Sequence, residues 1–198
     1  TGAQDVFSRA ASQYPPPLGV MKFLVAVLLG AFLTGCGKSS SNNSDPALQA
    51  LASANTPELR FRALGPAAKR CFSAGRIEEA RRHAEELHGL LPSFRQHPDY
   101  GQALHDANTV LGRIAVREGR LEDAKRHLAE SVRAPSAAMM DYGPSMALAK
   151  DLLEKGERQA VLDYLVACRR FWNFARLEDW RQQIQQGQIP DFGAHLSR

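Results

Sequence analysis

Two histidine and glutamate pairs are the residues of this chain whose types and spacing best suit chemistry. His83 and Glu86 lie three residues apart, and His127 and Glu130 repeat that spacing. Side chains three apart on a helix are neighbours, so each pair would set an imidazole beside a carboxylate, a combination that binds metal ions or moves protons. Helical metal sites of the Glu-x-x-His type need further glutamates, and here the order is reversed and no further ligands are evident. We therefore expect no metal and no cofactor.

Sequence motifs of catalysis are also missing. The chain has no Gly-x-Ser-x-Gly elbow, no glycine-rich phosphate loop and no His-Glu-x-x-His. Cys71 and Cys168 show no CxxC spacing and no obvious activating neighbour, so we expect small apolar core residues at both positions. A disulfide between them would be permitted in an oxidising compartment, but the sequence does not establish one. The chain is therefore expected not to be an enzyme, and no catalytic residue is assigned.

Helices must position these residues. Asp45-Pro46 and Thr56-Pro57 each place a capping side chain before a proline that suits the first helical position. From there to Arg198 the pattern stays helical, without a convincing run of alternating β-branched residues. The sequence predicts an all-α fold, with the domain extending over residues 45–198.

A sequence unit recurs along this helical region. Residues 74–83 align with residues 118–127, and residues 155–165 repeat the same shape more loosely. In each unit a glycine ends one helix and an amphipathic helix follows. Gly119 comes 44 residues after Gly75, and Gly156 comes 37 residues after Gly119. Such recurrence is typical of stacked antiparallel helix pairs.

At these positions the chain resembles the tetratricopeptide-repeat family, whose period is about 34 residues. The resemblance rests on a small residue in the first helix, the glycine at the turn, and apolar residues in the second helix. These positions are Ala68, Gly75, Ala80, Ala84 and the closing Pro92, then Leu111-Gly112, Gly119, Ala124 and Leu128, then Ala149, Gly156 and Leu165, with Val161 where a small alanine is usual. The resemblance implies a short right-handed solenoid with repeats at about residues 57–92, 99–134 and 143–172.

Three further expectations follow from this repeat alignment. The core should contain Ala80, Ala84, Leu111, Ala124, Leu128, Leu152 and Leu165. Gly65-Pro66 should interrupt the first helix of the first unit. Residues 173–198 should cap the open end of the stack, because a solenoid end must be closed. The apolar side chains for this cap form an aromatic stripe at helical spacings, which stops near Gly187: Phe171, Trp172, Phe174, Leu177, Trp180 and Ile184. A ligand platform is the alternative interpretation of that stripe.

The amino-terminal region has the features of an export signal. Met21-Lys22 is followed by an apolar run at residues 23–32, too short to span a bilayer comfortably, and then by Leu33-Thr34-Gly35-Cys36. This resembles the bacterial lipoprotein signal, which implies that Cys36 is acylated and begins the mature protein. Residues 1–20 would then be upstream sequence from a misassigned start, 21–35 the signal peptide, and 36–44 the lipidated cysteine with a flexible polar tether.

The net charge and the predicted export together limit the class of partner. The formal net charge is +4, and it falls to +3 for the 163 residues that would remain after cleavage. A small charge spread over a mixed surface does not demand nucleic acid, and export makes that partner less expected still. Gly37 follows the cysteine, and similarity to known lipoproteins then implies the outer membrane, facing the periplasm, in a cell with two membranes.

Five cations are the candidate partner-binding residues: Arg62, Lys69, Arg113, Arg117 and Lys150. Lys69, Arg113 and Lys150 each follow the small first-helix residue by one position, which in tetratricopeptide proteins looks into the concave groove. Arg62 and Arg117 should lie near the same face. Stacked cations would suit an acidic or carboxyl-terminal peptide, although long basic side chains are also common on exposed helical faces.

The expected function is that of a lipid-anchored scaffold or adaptor in the bacterial cell envelope, which binds a protein or peptide in a basic groove. Two alternatives stay open. One is an envelope enzyme with a His/Glu site outside the known motifs. The other is a structural spacer whose groove is filled by its own carboxyl-terminal tail.

Overall fold

The computed structural model describes residues 45–197, and within that range the chain is all-helical, as predicted. The predicted upstream segment 1–20, signal peptide 21–35, lipidated Cys36 and tether 36–44 lie outside the described residues. The α-helices are α1 (Pro46–Ser53), α2 (Pro57–Ser73), α3 (Ile77–Leu90), α4 (Tyr100–Arg117), α5 (Leu121–Glu130), α6 (Ala137–Tyr142), α7 (Ala147–Glu154), α8 (Arg158–Cys168) and α9 (Arg176–Gln185). Short 3-10 turns span Leu91–Phe94 and Gly193–Leu196.

The same turn joins the two helices of each of three pairs. Three residues separate α2 from α3, α4 from α5 and α7 from α8. Gly75, Gly119 and Gly156 lie in these turns with φ values of 75°, 74° and 85°, which only glycine adopts without strain. The residue after each glycine donates its backbone N–H to a carbonyl five residues earlier, at 2.9 to 3.0 Å. This is the Schellman arrangement, which ends one helix and reverses the chain.

The predicted caps begin the first two helices. Asp45 accepts a hydrogen bond from the Ala47 N–H at 3.0 Å, and Thr56 accepts one from the Leu59 N–H at 3.2 Å. The proline after each cap has no N–H to leave unpaired in the first turn. The sequence therefore predicted both helix starts correctly.

The first helices of the pairs form one continuous row. Helix α2 packs on α4 and α4 packs on α7, while α5 packs on α7 and α8 behind them. Gly112 makes the close approach possible, because a Cβ at this position would overlap the Leu148 side chain and crowd the Cβ of His127. The row of α2, α4 and α7 is the face on which the candidate site lies.

The predicted core is correct with one exception. Six of the seven residues are at most 2 % exposed: Ala80, Ala84, Ala124, Leu128, Leu152 and Leu165. Leu111 is only partly buried and packs at the edge of a cluster that contains Ile114 and Val110. Its neighbour Gly112 takes the buried position against α7, which turns Leu111 toward the margin of the interface.

The predicted interruption at Gly65-Pro66 is wrong. Helix α2 runs unbroken from Pro57 to Ser73 with Pro66 inside it. A proline ring removes one helical hydrogen bond, and tertiary packing offsets that loss here. Gly65 is buried against Asp106 of α4, so the segment around the proline is held at a helix contact.

The connection between the second and third pairs contains a helix that the sequence analysis missed. Ser136 caps α6 by accepting a hydrogen bond from the Met139 N–H at 3.2 Å, and Gly143 ends it with φ at 80°. Helix α6 has only six residues and no sequence period long enough to be recognised.

The aromatic stripe closes the carboxyl-terminal end of the core. Trp172, Leu177, Trp180 and Ile184 are buried, Gly187 has φ at 83° just after α9, and Phe192 covers Trp180 edge-on with ring centroids 5.0 Å apart. Only the part from Arg176 to Gln185 is helical. The cap interpretation therefore accounts for these side chains better than an exposed ligand platform.

Candidate partner-binding groove

A cleft of about 430 Å³ opens on the row of first helices, at the amino-terminal end. Its walls come from α1, α2 and the start of α4. Most of the lining is apolar, and the polar groups at its edge include Arg62, Asp99, Gln102 and Asp106. Leu59, 45 % exposed, adds an uncovered apolar side chain to the wall. A cleft of this volume, mostly apolar with a few polar groups, has the usual character of a binding site.

Two of the five candidate cations bind carboxylates of their own chain. Lys69 on α2 lies 3.0 Å from the Oδ1 of Asp106 on α4. Arg113 on α4 donates from Nε to the Oδ2 of Asp151 on α7 at 2.7 Å. Each cation therefore joins its own first helix to the first helix of the next pair. The column of cations predicted for a partner is, at these two positions, paired within the domain.

Arg113 and Arg117 share an aromatic neighbour. Their guanidinium carbons lie 4.5 and 4.2 Å from the centroid of the Phe72 ring. Guanidinium groups at these distances are attracted to the negative face of the ring. Phe72 is itself 4 % exposed, so the two arginines cover a core residue with their planar groups. This placement gives both side chains a defined position beside the groove.

Arg62 and Lys150 occupy different environments from that central group. Arg62 lies at the large cleft, where its Nε is 3.0 Å from the Oδ2 of Asp99 in a pair that is 58 % and 46 % exposed. Lys150 approaches Glu154 of its own helix at 3.4 Å, also in an exposed pair. The structure therefore brings Arg113 and Arg117 together over Phe72, and Lys69 lines the same small cleft as Arg113 and Phe72. Arg62 and Lys150 are not among the residues of that cleft.

The carboxyl-terminal tail contacts the row of first helices near the start of α7. The carbonyl of His195 accepts a hydrogen bond from the Met146 N–H at 2.8 Å. Leu196 and Ser197 line a small cleft of about 70 Å³ together with Lys69 and Arg113. The tail thus covers part of the groove near α7, while the large cleft at α1 and α2 stays open.

The histidine and glutamate pairs do not form a common site. Arg60 binds Glu86 through two hydrogen bonds, one of them from Nη2 at 2.7 Å, and this lowers the pKa of the Glu86 carboxyl. The Nδ1 of His127 lies 2.8 Å from the Oδ1 of Asn108. Burial lowers the pKa of both His83 and His127, so each imidazole is held neutral.

The two cysteines are free and buried, and they differ in their surroundings. Burial raises the pKa of the Cys168 thiol to about 12. The thiol of Cys71 accepts a hydrogen bond from Nη2 of Arg76 at 3.0 Å, and burial still raises its pKa. The sequence analysis named no activating neighbour for Cys71, and although Arg76 contacts its thiol, burial outweighs that cation and the pKa is still raised. The turn at Gly75 carries the missed signal, since a Schellman turn brings the residue after the glycine back onto the third residue from the helix end.

A buried polar network, also missed from the sequence, links α4 to the third pair. The Nδ1 of His105 lies 3.1 Å from the carbonyl of Ser131, and its Nε2 accepts the Ser145 N–H at 3.0 Å. Tyr164 donates its hydroxyl to the Ser145 carbonyl at 3.0 Å. Because Nε2 accepts the hydrogen bond from Ser145, it carries no proton. The proton of the neutral ring is therefore on Nδ1, which donates it to the Ser131 carbonyl. A sequence places a lone histidine on an apolar helix but does not name partners 26 and 40 residues away.

Among residues 45–197, no helix is both long and apolar enough to cross a bilayer. No known family matches the chain, and no match was found among curated proteins or solved structures. The functional assignment therefore depends on the geometry of the groove and on the sequence features that precede it.

Proposed function

We propose that this protein is a lipid-anchored scaffold or adaptor of the bacterial cell envelope, which binds an extended segment of a protein partner along the row of α2, α4 and α7. The open cleft at the amino-terminal end of that row is the observation that carries the proposal. The proposed anchor is the acylated Cys36, with residues 36–44 as the tether that holds the domain away from the lipid.

The finer fold assignment is part of the same proposal. A tetratricopeptide-like solenoid is supported by three identical glycine turns, by the close approach at Gly112, and by small buried residues such as Ala80 and Ala124. Proteins built in this way use the concave row of first helices to bind extended segments. Fold analogy alone names no partner, so the chemistry of the cleft has to define it.

That chemistry favours a segment with one large apolar side chain and a nearby carboxylate. The apolar side chain would enter the cleft between α1 and α2, where Leu59 and Phe61 line the wall. The carboxylate would take the place of Asp99 on Arg62. An exposed ion pair contributes at most about 1 kcal/mol, so this exchange costs little. Lys69 and Arg113 are less available, because each already binds a half-buried or buried carboxylate.

Crosslinking in intact cells tests the proposal. A photoreactive amino acid at Leu59 should capture one partner, while the same group at Val166, equally exposed on α8, should not. With that partner purified, Leu59→Asp or Arg62→Glu should weaken binding at least about 10-fold. Arg133→Glu is the matched control, because Arg133 is 70 % exposed and pairs only locally with Glu130. Equal capture at Leu59 and Val166 would contradict the proposal.

The anchor is tested separately. Wild-type protein should incorporate labelled fatty acid and sediment with membranes, and Cys36→Ser should abolish both. In a cell with two membranes the protein should fractionate with the outer membrane. A cytosolic protein that retains residues 1–35 would contradict the lipoprotein assignment and leave the groove proposal standing.

A structural spacer is the second candidate, and one observation favours it. The tail already occupies the part of the groove near Met146, as a spacer with a self-filled groove would require. Removing residues 196–198, which takes Leu196 and Ser197 out of the small cleft and leaves Phe192 over Trp180, distinguishes the two functions. A binding protein should gain affinity or keep it after this deletion, whereas a spacer should show no specific partner with or without its tail.

A further inference from the structure

The turn between α2 and α3 brings three potential metal ligands together. The Sγ of Cys71, a carboxylate oxygen of Glu79 and a ring nitrogen of His83 all lie within 4.8 Å of one another. Cys71 is in the last turn of α2, and Glu79 and His83 are four apart on the same face of α3. The sequence analysis paired His83 with Glu86, but Arg60 holds Glu86 in another contact. The imidazole of His83 therefore lies beside a thiol and a second carboxylate, in addition to its electrostatic interaction with Glu86.

The donor set defines the class of metal. A thiolate, an imidazole and a carboxylate together suit Zn²⁺, whereas Mg²⁺ and Ca²⁺ prefer oxygen ligands throughout. Zinc bonds of about 2.0 to 2.3 Å place tetrahedral ligand atoms about 3.5 Å apart. The three ligand atoms lie within 4.8 Å of one another, so they need to approach by at most about 1.3 Å. The side chain of Glu79 is 41 % exposed, which leaves it free to make that movement and gives the ion a route from solvent.

A guanidinium group now lies where a cation is expected. Nη2 of Arg76 contacts the Cys71 thiol at 3.0 Å, and Nη1 lies 3.5 Å from the Oε2 of Glu79. The fit is incomplete, because the Nε of Arg76 is buried without a hydrogen-bond partner. A buried unpaired donor costs about 1 to 3 kcal/mol. Moving the Arg76 side chain out to water removes that cost, which offsets part of the loss of its contacts with Cys71 and Glu79.

The second helix pair provides an internal comparison. Residues 44 positions later are Ala115, Arg120, Asp123 and His127, which reproduce the set except for the cysteine. There Arg120 and Arg126 both bind Asp123, and Asn108 binds His127. In the first pair no hydrogen bond occupies the His83 imidazole among residues 45–197. The pair that has the thiol is thus also the pair that leaves its imidazole available.

We propose that Cys71, Glu79 and His83 form a three-ligand site for Zn²⁺. On binding, the Cys71 thiol releases its proton to solvent and its sulfur lone pair forms the bond to the metal. The thiolate and the carboxylate then balance the two positive charges of zinc, while the neutral imidazole adds none. A neutral site of this kind suits its half-buried position better than an isolated ion would. The fourth tetrahedral position is left to water.

Metal titration of the full chain, purified in detergent with a non-metal reductant and freed of metal by a chelator, tests the proposal. One equivalent of Zn²⁺ should bind, and Co²⁺ should give the thiolate-to-metal absorption of a cysteine ligand. Cys71→Ser and His83→Ala should each weaken zinc binding at least about 10-fold, since even groups that only support ligands have effects of that size. Cys168→Ser is the matched control and should bind zinc like the wild type.

Arg76→Gln tests the site without removing a ligand. It takes away the cation that contacts both Cys71 and Glu79, so zinc should bind more tightly than in the wild type. Absence of zinc binding by the wild type would overturn the proposal. Binding that survives Cys71→Ser unchanged would overturn it too, as would an affinity unaltered by Arg76→Gln. None of these three results would bear on the groove, which is on the row of first helices.

Discussion

Lys69 donates to the Oδ1 of Asp106 at 3.0 Å, and this carboxylate is only 4 % exposed. Gln102 donates to the same oxygen at 2.9 Å. The lysine belongs to the first helix of one pair and the aspartate to the first helix of the next, so the contact crosses an interface between repeats. Arg113 and Asp151 make the corresponding contact across the following interface. Cations at one repeat position therefore hold successive pairs together.

Lys69→Met should destabilise the domain by about 1 to 3 kcal/mol, because it leaves a buried carboxylate with Gln102 as its remaining donor. Lys150→Met is the matched control, since Lys150 has the same repeat position but only an exposed contact with Glu154. Its cost should stay within about 0.5 kcal/mol. Denaturant unfolding of both variants measures the difference. Equal costs would mean that the buried carboxylate does not depend on Lys69.

Gly112→Ala should destabilise the domain by about 1 to 3 kcal/mol even though alanine favours helices, because the added methyl overlaps Leu148. Gly89→Ala should have the opposite sign. Gly89 is exposed in α3 with open space where a Cβ would be, so alanine should stabilise by about 0.5 to 1 kcal/mol. Thermal unfolding of the two variants is the measurement, and a stable Gly112→Ala would show that α4 and α7 can separate freely.

Ala124→Phe should overpack the contact between α4 and α5 and cost about 1 to 3 kcal/mol, because Ala124 is fully buried in the core. Ala129→Phe places the same side chain on the exposed face of the same helix and should cost little. Urea unfolding compares the two. An unchanged midpoint for Ala124→Phe would mean that the packing face of α5 has been assigned wrongly.

Acidification should weaken the domain through His105. Burial lowers the pKa of this imidazole, with a smaller effect of Lys69 in the same direction, while Asp106 and the Ser131 carbonyl oppose it. The folded pKa is therefore below the unfolded value of about 6.5, so the unfolded chain binds more protons in the window between them. The stability that depends on neutral His105 is complete above about pH 6.5 and is lost as the pH falls toward the folded pKa.

His105→Gln should reduce this pH dependence, because glutamine does not titrate. The comparison is the fall in melting temperature between about pH 7.5 and pH 5.5, where His83 and His127 still contribute in both proteins. A slope unchanged by His105→Gln would show that protonated His105 is tolerated in the core.

The sequence by itself determined the local features of this protein. Thr56-Pro57 set a helix start and Gly75, Gly119 and Gly156 set the turns, because caps and left-handed turns depend on residues a few positions apart. Repetition of those signals gave the helix pairs, and the buried alanines followed from the period. The lipoprotein signal around Cys36 is likewise a local pattern. Its consequence for localisation stays a prediction.

The tertiary structure decided which partner each charged or polar side chain meets. Lys69 and Arg113 share one repeat position in the sequence, but Asp106 and Asp151, which bind them, lie 37 and 38 residues away. His83 was assigned to Glu86 by helical spacing, whereas packing of α2 on α3 gave it Cys71 and Glu79 as neighbours. Pro66 lies inside the unbroken helix α2, beside Gly65, which packs against Asp106 of α4. Such contacts join segments that are distant in sequence, and only the packing of helix on helix fixes them.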